Sequence, residues 1–486
     1  MDVVVNVLRW IADNLVSQVP ILIGLITLIG LLLQRKRFDE VISGTLRATV
    51  GMEILLLGSG VFTAGLASFQ AIVSSAFKMT PPSSTSSMND FLDGRGSVVP
   101  LIIAVAFLLH LVMVRLFRGA RYVYLTGHQL YWLSLLVAAA LVEGFSSADS
   151  TALLLGGSII LACYLTLQPM WISPFMKKVV GHDNFGLAHT TSVMSVLASL
   201  VGRFLGDPEK DDAEKVKLPK WLSFLKDINV STALIIGIIM LIAILFADPA
   251  TVSAQIEATD PGMSVFAWTI LQALKFAGGI AILLYGVRLF LAEIVPAFRG
   301  ISQRAIPGSR PALDIPVTFP NKTVSVMIGF LSSTVVFLVL MVVFGAAGWF
   351  ALVPPMIMLF FGGGAGGVFG NAFGGWKGAV FGGALNGLIL AFGQWIAWGL
   401  LDTTAPQLAT LADADWYVIV LILRGIAAVL AAIGATGSVG IWVTAGAVAV
   451  ITVVVLVIIG RRVEPDQATV DKSHTTVAPA RPAQEH

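Results

Sequence analysis

Apolar stretches of roughly bilayer length, separated by short polar or charged joints, recur from one end of the chain to the other. They predict membrane-crossing helices near residues 14–34, 41–77, 98–117, 130–148, 151–172, 230–247, 264–291, 324–348, 353–372, 376–401 and 441–460, about eleven in all. The stretch 41–77 is too long for one straight span and is expected to break at Gly58-Ser59-Gly60. Two further stretches depart from the pattern. Residues 180–203, "VGHDNFGLAHTTSVMSVLASLVG", are half polar and half apolar, and residues 416–434 carry Arg424 in an apolar setting. Both are expected to be re-entrant hairpins, because non-helical backbone and charge at membrane depth must be buried in protein or line a cavity.

The joints set the organisation. Basic residues gather at Arg35-Lys36-Arg37, Arg115 to Arg121, Lys177-Lys178 and Arg461-Arg462, whereas 78–97, 143–150, 248–262 and 402–415 are polar or acidic and poor in Lys and Arg. The positive-inside rule then places the N-terminus outside and the C-terminus inside, and makes 402–415 an external loop. The charged run 205–229 reads as a cytoplasmic linker ending in an amphipathic helix. It divides a first transmembrane repeat (1–204) from a second (230–460), and the Pro/Ala/Thr-rich tail 461–486 is expected to be disordered. The repeat rests on two weak overlays, "LLLQRKRFDEVISGTLRATVG" on "LLYGVRLFLAEIVPAFRGISQRAIPG" and "LTGHQLYWLSLLV" on "FGGWKGAVFGGAL".

Composition turns this pattern into a class. The chain is 57% hydrophobic and 12% charged, about half the charge of a soluble domain, with a mean hydropathy of +0.89. A net charge of +2 without a basic, aromatic-laced patch gives no reason to invoke nucleic acid. The single cysteine, Cys163, excludes a disulfide framework and a cysteine metal cluster. The fold class is therefore an all-α polytopic membrane protein.

Polar chemistry is concentrated at four places. "LLLGSGVFTAG" puts Gly58 and Ser59 after an apolar helix, where small residues allow close backbone approach. "YLTGHQLYW" places His128 at a helix start, whose free amides favour anionic or polyhydroxyl ligands and whose imidazole can donate and accept. "GLAHTTSV" puts His189 before three small polar residues. "AIPGSRPALDIPV" puts Asp314 in a Pro/Gly-broken segment ahead of a long apolar span, where a carboxylate can accept two hydroxyls or carry a proton. His110 is expected to pack within the bundle and His182 to lie at the surface. No HExxH, CxxC or His/carboxylate spacing points to a metal, and no cofactor is expected.

The strings "YGVRLFLAEIVPAFRGISQRAIPG", "KLPKWLSFLKDINVSTA", "LTGH" and "FGGW" closely resemble the membrane-embedded IIC subunit of ascorbate-type phosphotransferase systems, over about residues 15–460. The resemblance implies a homodimer with eleven spans per protomer, divided into a scaffold and a mobile substrate-carrying core. It further implies uptake through a bacterial inner membrane, coupled to phosphorylation by a separate IIB protein that is itself charged by IIA. The family's ligand contacts fall on the backbone of Gly58 and Ser59 and on His128, His189 and Asp314. Where ascorbate-type relatives carry glutamine, this chain has Leu56, Trp132 and Thr190, which makes the neighbouring pocket more apolar. A related sugar acid, a polyol or a less polar compound then fits as well as ascorbate.

Two expectations concern the remaining residues. Glu53 and Lys275 both fall in apolar spans and are expected to pair across the repeat interface, since either alone is costly in lipid. Phosphoryl-carrying residues are expected on other proteins, because Cys163 lies in a span and the tail with His474 and His486 is too short to form a IIA domain. The alternatives are an ion-coupled transporter without phosphoryl coupling, with Asp314 or Glu53 as the carrier, and a non-transporting membrane receptor.

Overall fold

In lipid every backbone amide must be satisfied by the protein itself, which favours helices and leaves little room for open sheet edges. The computed structural model describes residues 10, 19–78, 85–86, 88–95, 98–215, 228–304, 306, 309–350, 352 and 354–462, and among these it is built mainly of helices. In chain order they are α1 (Val19–Leu33), α2 (Phe38–Ala76), α3 (Met88–Arg95), α4 (Val98–Leu116), α5 (Gly127–Gly144), α6 (Ser150–Val180) and α7 (Ser192–Gly202). After the linker come α8 (Ile228–Ile244), α9 (Pro249–Thr259), α10 (Val265–Arg304), α11 (Thr323–Ala346), α12 (Met356–Leu400), α13 (Leu408–Leu411), α14 (Ala414–Ala432) and α15 (Gly437–Arg462). Among the described residues, five stretches are long and apolar enough to cross a membrane, namely Ser150–Val180, Thr323–Ala346, Ile357–Leu400, Ala414–Ala432 and Gly437–Arg461.

The all-α expectation needs one addition. Three short strands, β1 (Tyr122–Tyr124), β2 (Gly186–Leu187) and β3 (Arg310–Leu313), form a parallel sheet in the order β1-β3-β2. Tyr124 and Leu187 pair with Ala312 and Leu313 respectively, and the ladder continues through Leu125 N to Ala312 O and Ala188 N to Leu313 O. Most of this extended backbone is buried, so the strands satisfy each other's amides where the helices stop. His110, fully buried on α4, fastens β1 to the bundle. Its Nε2 accepts from Tyr124 N at 3.0 Å, which leaves Nδ1–H to donate to Thr166 on α6 at 2.9 Å.

The break expected at Gly58-Ser59-Gly60 does not occur, since α2 runs unbroken for 39 residues. Glycine costs a helix interior only about 1 kcal/mol, and α10, with 40 residues, lies alongside α2 and offsets that cost through packing. The real reversal is at Gly375 (φ 63°), in "FGGW". The two halves of α12 double back so closely that a Cβ on Gly370 or Gly378 would collide with the backbone of the other, and the same holds for Gly366 and Gly382. Only the missing side chains permit this seam. It restores two antiparallel helices where 353–372 and 376–401 were expected.

The linker's first residues grip that reversal. Trp376 N donates to Asp211 O, and Asn371 donates to Asp212. Glu214 accepts from Val324 N, Ser325 N and the Ser325 hydroxyl at the start of α11, which supplies orphan amides of that helix with a carboxylate. The expected amphipathic helix lies largely in 216–227, outside the described residues, as does the tail from 463.

Two other expectations are corrected, for 416–434 and for Lys275. Residues 416–434 form most of a single continuous helix, α14, rather than a hairpin, and Arg424 is accommodated by donating to Glu143 O at 2.7 Å, in the last turn of α5. The segment 180–203 is locally a strand (β2), a turn and a helix (α7), with His189, Thr190 and Thr191 in the turn and Ser192, Ser195 and Ser199 along the helix. Lys275 pairs not with Glu53 but with both carboxylate oxygens of Asp260, each at 2.9 Å, while Glu53 is exposed. Asp260 ends α9, so the lysine needs only to reach back along its own helix to a polar joint.

Candidate functional site

Parallel strands deliver whatever follows them to one edge of the sheet. His128 comes four residues after β1, His189 two after β2, and Asp314 directly after β3. Three segments far apart in sequence are thereby brought to a common point. His128 Nε2 stands 3.8 Å from Asp314 Oδ2, and His189 Nε2 stands 3.6 Å from Asp314 Oδ1. Asp314 caps a 3-10 turn, Ile315–Thr318, by accepting from Ile315 N at 2.7 Å, which fixes the carboxylate between the two imidazoles.

Around this trio lies a cavity of about 250 Å3, lined by Gln129, Trp132, Thr190, Pro316, Met358, Phe361, Leu411, Asp413 and Trp416 among others. That is slightly below the usual range for drug-sized ligands, ~300–1,000 Å3, and suits a small molecule. Trp132 and Trp416 lie with ring centres 6.2 Å apart at one wall. Indole faces beside a few polar side chains suit a compact ligand with an apolar ring face and hydroxyl edges.

The hydrogen-bond geometry assigns the proton of His189. Its Nδ1 accepts from Thr191 N at 3.2 Å, so the neutral ring carries hydrogen on Nε2, directed at Asp314. That nitrogen then has no lone pair to offer a metal. Although donor atoms of His128, His189 and Asp314 lie within 4.8 Å of one another, they act as a hydrogen-bonding set.

Five of the eight residues singled out from the sequence, His128, Trp132, His189, Thr190 and Asp314, line this one cavity. Gly58 is buried within α2 and is not among the lining residues. The side chains of Leu56 and Ser59 fall outside the described residues. Cys163 is buried in α6.

Sequence reasoning missed three groups. Gln129 follows His128 and shares its helix start. Asp413 and Asp415, in "LADADW", were assigned to an external polar loop, yet both are about 1% exposed. Asp415 accepts from the Tyr164 hydroxyl, the Ser192 hydroxyl and Val193 N, which ties α6, α7 and α14 together and places a carboxylate at the start of α7. Asp413 reaches the cavity, with Oδ2 2.7 Å from the Thr190 hydroxyl and 3.7 Å from His189 Nδ1. The available signal was two acids alternating with alanine immediately before an apolar helix, a pattern of helix-start carboxylates.

Long apolar helices and a small cavity at the ends of three buried strands define a multi-pass membrane protein with an internal cavity. The chain belongs to the family of sugar-specific permease components of phosphotransferase systems, EIIC-GAT, whose sequence profile matches residues 14–415. It is similar to a protein of Mycoplasma pneumoniae (strain ATCC 29342 / M129 / Subtype 1) named ascorbate-specific PTS system EIIC component, with 28% identity over 375 residues. That match covers 67% of this chain and 56% of the relative, so the chain spans little more than half the length of the curated protein it matches.

Proposed function

We propose that the protein is the translocating subunit of a bacterial phosphotransferase system, carrying ascorbate or a related sugar acid across the inner membrane. Separate IIB and IIA proteins phosphorylate the cargo. The observation that carries this reading is the meeting of His128, His189 and Asp314 at the ends of three parallel strands, on a cavity of about 250 Å3. Two imidazoles and a carboxylate offer both donors and acceptors to vicinal hydroxyls, and the tryptophans cover a ring face. In this reading the protomer has eleven spans, forms a homodimer, and moves its site-bearing core against a scaffold, exposing the cavity alternately to each side. Glycine seams between α11 and the two halves of α12 support a core that moves as one body, since helices packed backbone to backbone have little freedom to shear.

Uptake of labelled ascorbate into proteoliposomes tests this. Accumulation of a phosphorylated product is expected only when phosphorylated IIB is supplied on the cytoplasmic side. Asp314→Asn and His189→Ala are expected to weaken ligand binding by about 10- to 100-fold, the size of a lost hydrogen bond to a charged or fixed group. Uptake of unmodified ligand without phosphoryl donors, driven by an ion gradient, would overturn the coupling.

A further inference from the structure

An anionic ligand entering this cavity meets two carboxylates, Asp314 and Asp413, and no Lys or Arg among the lining residues. Asp413 is the less compensated of the two. It is 1% exposed, its Oδ1 has no hydrogen-bond partner, and its Oδ2 meets the Thr190 hydroxyl. That hydroxyl's oxygen also lies 3.2 Å from Gln129 Oε1, so its single hydrogen is shared between two acceptors. His189 gives Asp413 nothing, because the Nδ1 facing it at 3.7 Å is occupied as an acceptor from Thr191 N. Lone pairs therefore face lone pairs.

Asp415, two residues along, is the contrast. Three donors address its two oxygens, and donors of this kind support a carboxylate's charge. Asp413 has the environment of a carboxylic acid, because burying its charge with one shared hydrogen bond costs several kcal/mol. Its other titratable and charged neighbours do not relieve this. Asp314 and Asp415 are acids, His128 lies beyond Asp314, the buried Tyr124 hydroxyl makes no hydrogen bond, the Tyr417 hydroxyl is directed at Ala409 O, and Tyr164 is bonded to Asp415.

We propose that Asp413 is a proton-binding site in the cavity wall, holding a solvent-derived proton while an anionic ligand occupies the cavity. The step is the combination of one proton from water with the Asp413 carboxylate to give the neutral acid, whose O–H can then donate to the Thr190 hydroxyl or the ligand. Proton and anion reinforce each other's binding, by linkage. The consequence for ligand affinity rests on the sugar-acid reading above, whereas the protonated carboxyl belongs to the empty protein as well.

The two parts are separable by experiment. Infrared spectra of the purified full-length protein, in H2O and D2O at neutral pH, are expected to contain a protonated-carboxyl C=O band. That band is lost in Asp413→Asn and kept in Asp260→Asn. Raising the pH should bleach it in the wild type, and Thr190→Val, which removes a donor, should carry it to higher pH. This titration decides the matter even if Asp413→Asn does not fold. With ascorbate as the probe, wild-type affinity should fall by about tenfold per pH unit above the bleaching point, and that of Asp413→Asn should be flat. No such band in the wild type, a full band in Asp413→Asn, or equal pH slopes in the two proteins overturns the proposal. Absence of ascorbate binding by either protein at any pH counts against the sugar-acid reading instead, and leaves the infrared result to judge Asp413.

Discussion

Two regions of this molecule solve the same solvent problem in opposite ways. In the long-helix bundle of α1, α2, α8 and α10, helices of up to 40 residues satisfy their own backbones and present apolar side chains such as Leu46, Leu57, Ile242 and Leu274 outward. The charges on these helices are few and include the pairs Lys275 with Asp260 and Arg47 with Glu293 and the exposed Glu53. In the region around the sheet the backbone leaves the helix three times, and every departure delivers a polar side chain to one cavity. At membrane depth, binding chemistry resides where the helix is interrupted, because only an interruption brings side chains from separate segments end to end.

The difference should appear first in stability. Asp415→Ala strips partners from two hydroxyls and one amide buried between α6, α7 and α14, and each group so orphaned costs about 1–3 kcal/mol. A loss of roughly 3 kcal/mol or more is expected, read as a large drop in the melting temperature of the detergent-purified protein. An unchanged melting temperature would mean that the polar network is ornamental to the fold. Next in size is Gly370→Ala, which sets a methyl group against the Gly378 backbone in the α12 seam. Overpacking of this kind costs about 1–3 kcal/mol. Gly425→Ala, which meets nothing within 4 Å, is the paired control and should be neutral or slightly stabilising.

The same division explains what was legible in the sequence. Hydropathy reports runs of helix, so the long apolar elements and the reversal between 372 and 376 were readable from residues alone. Isolated His128, His189 and Asp314 were readable because polar groups in apolar surroundings are conspicuous. Their convergence was not, since it depends on pairing between β1, β2 and β3, whose registers span almost 200 residues and whose strands are too short to show a period of two. Asp413 and Asp415 were misplaced for a related reason: acids in a Lys/Arg-poor loop look solvated until tertiary packing supplies Tyr164, Thr190 and Ser192. Glycine misled at one place and not at the other. Gly58 and Gly60 lie within an unbroken helix, whereas Gly375, in a similar small-residue setting, turns the chain round, because its neighbours Gly202, Gly206 and Asp211 fill the space beside the bend.

Charge in the long-helix bundle should matter less than polarity around the sheet. Lys275→Met or Asp260→Asn removes a pair whose lysine side chain is 38% exposed, and pairs of this kind contribute about 0.2–1 kcal/mol. Small, similar shifts in melting temperature are expected for each single change and for the double change. A loss as large as that of Asp415→Ala would erase the contrast between the regions.

The smallest effect sharpens the comparison from within the sheet, at the strand ends away from the cavity. Arg310 opens β3 and meets Asp183, in the turn before β2, at 2.6 Å. The hydrogen bond from Arg310 holds the Asp183 carboxyl below its ordinary value, against the opposing effect of burial. A depressed carboxyl stabilises the fold above the unfolded value, about 3.9, and that contribution is lost as the pH falls through the lower, folded value. Neutral and mildly alkaline conditions therefore leave it constant. Because Asp183 is 42% exposed, solvent screening limits the pair to less than about 1 kcal/mol. Melting temperatures of wild type and Asp183→Asn should thus differ slightly at neutral pH and converge below about pH 4. Convergence on the alkaline side instead would mean that the strands are held at this end by Arg310 acting on other groups, and that the ion pair contributes nothing to the register that sets the cavity.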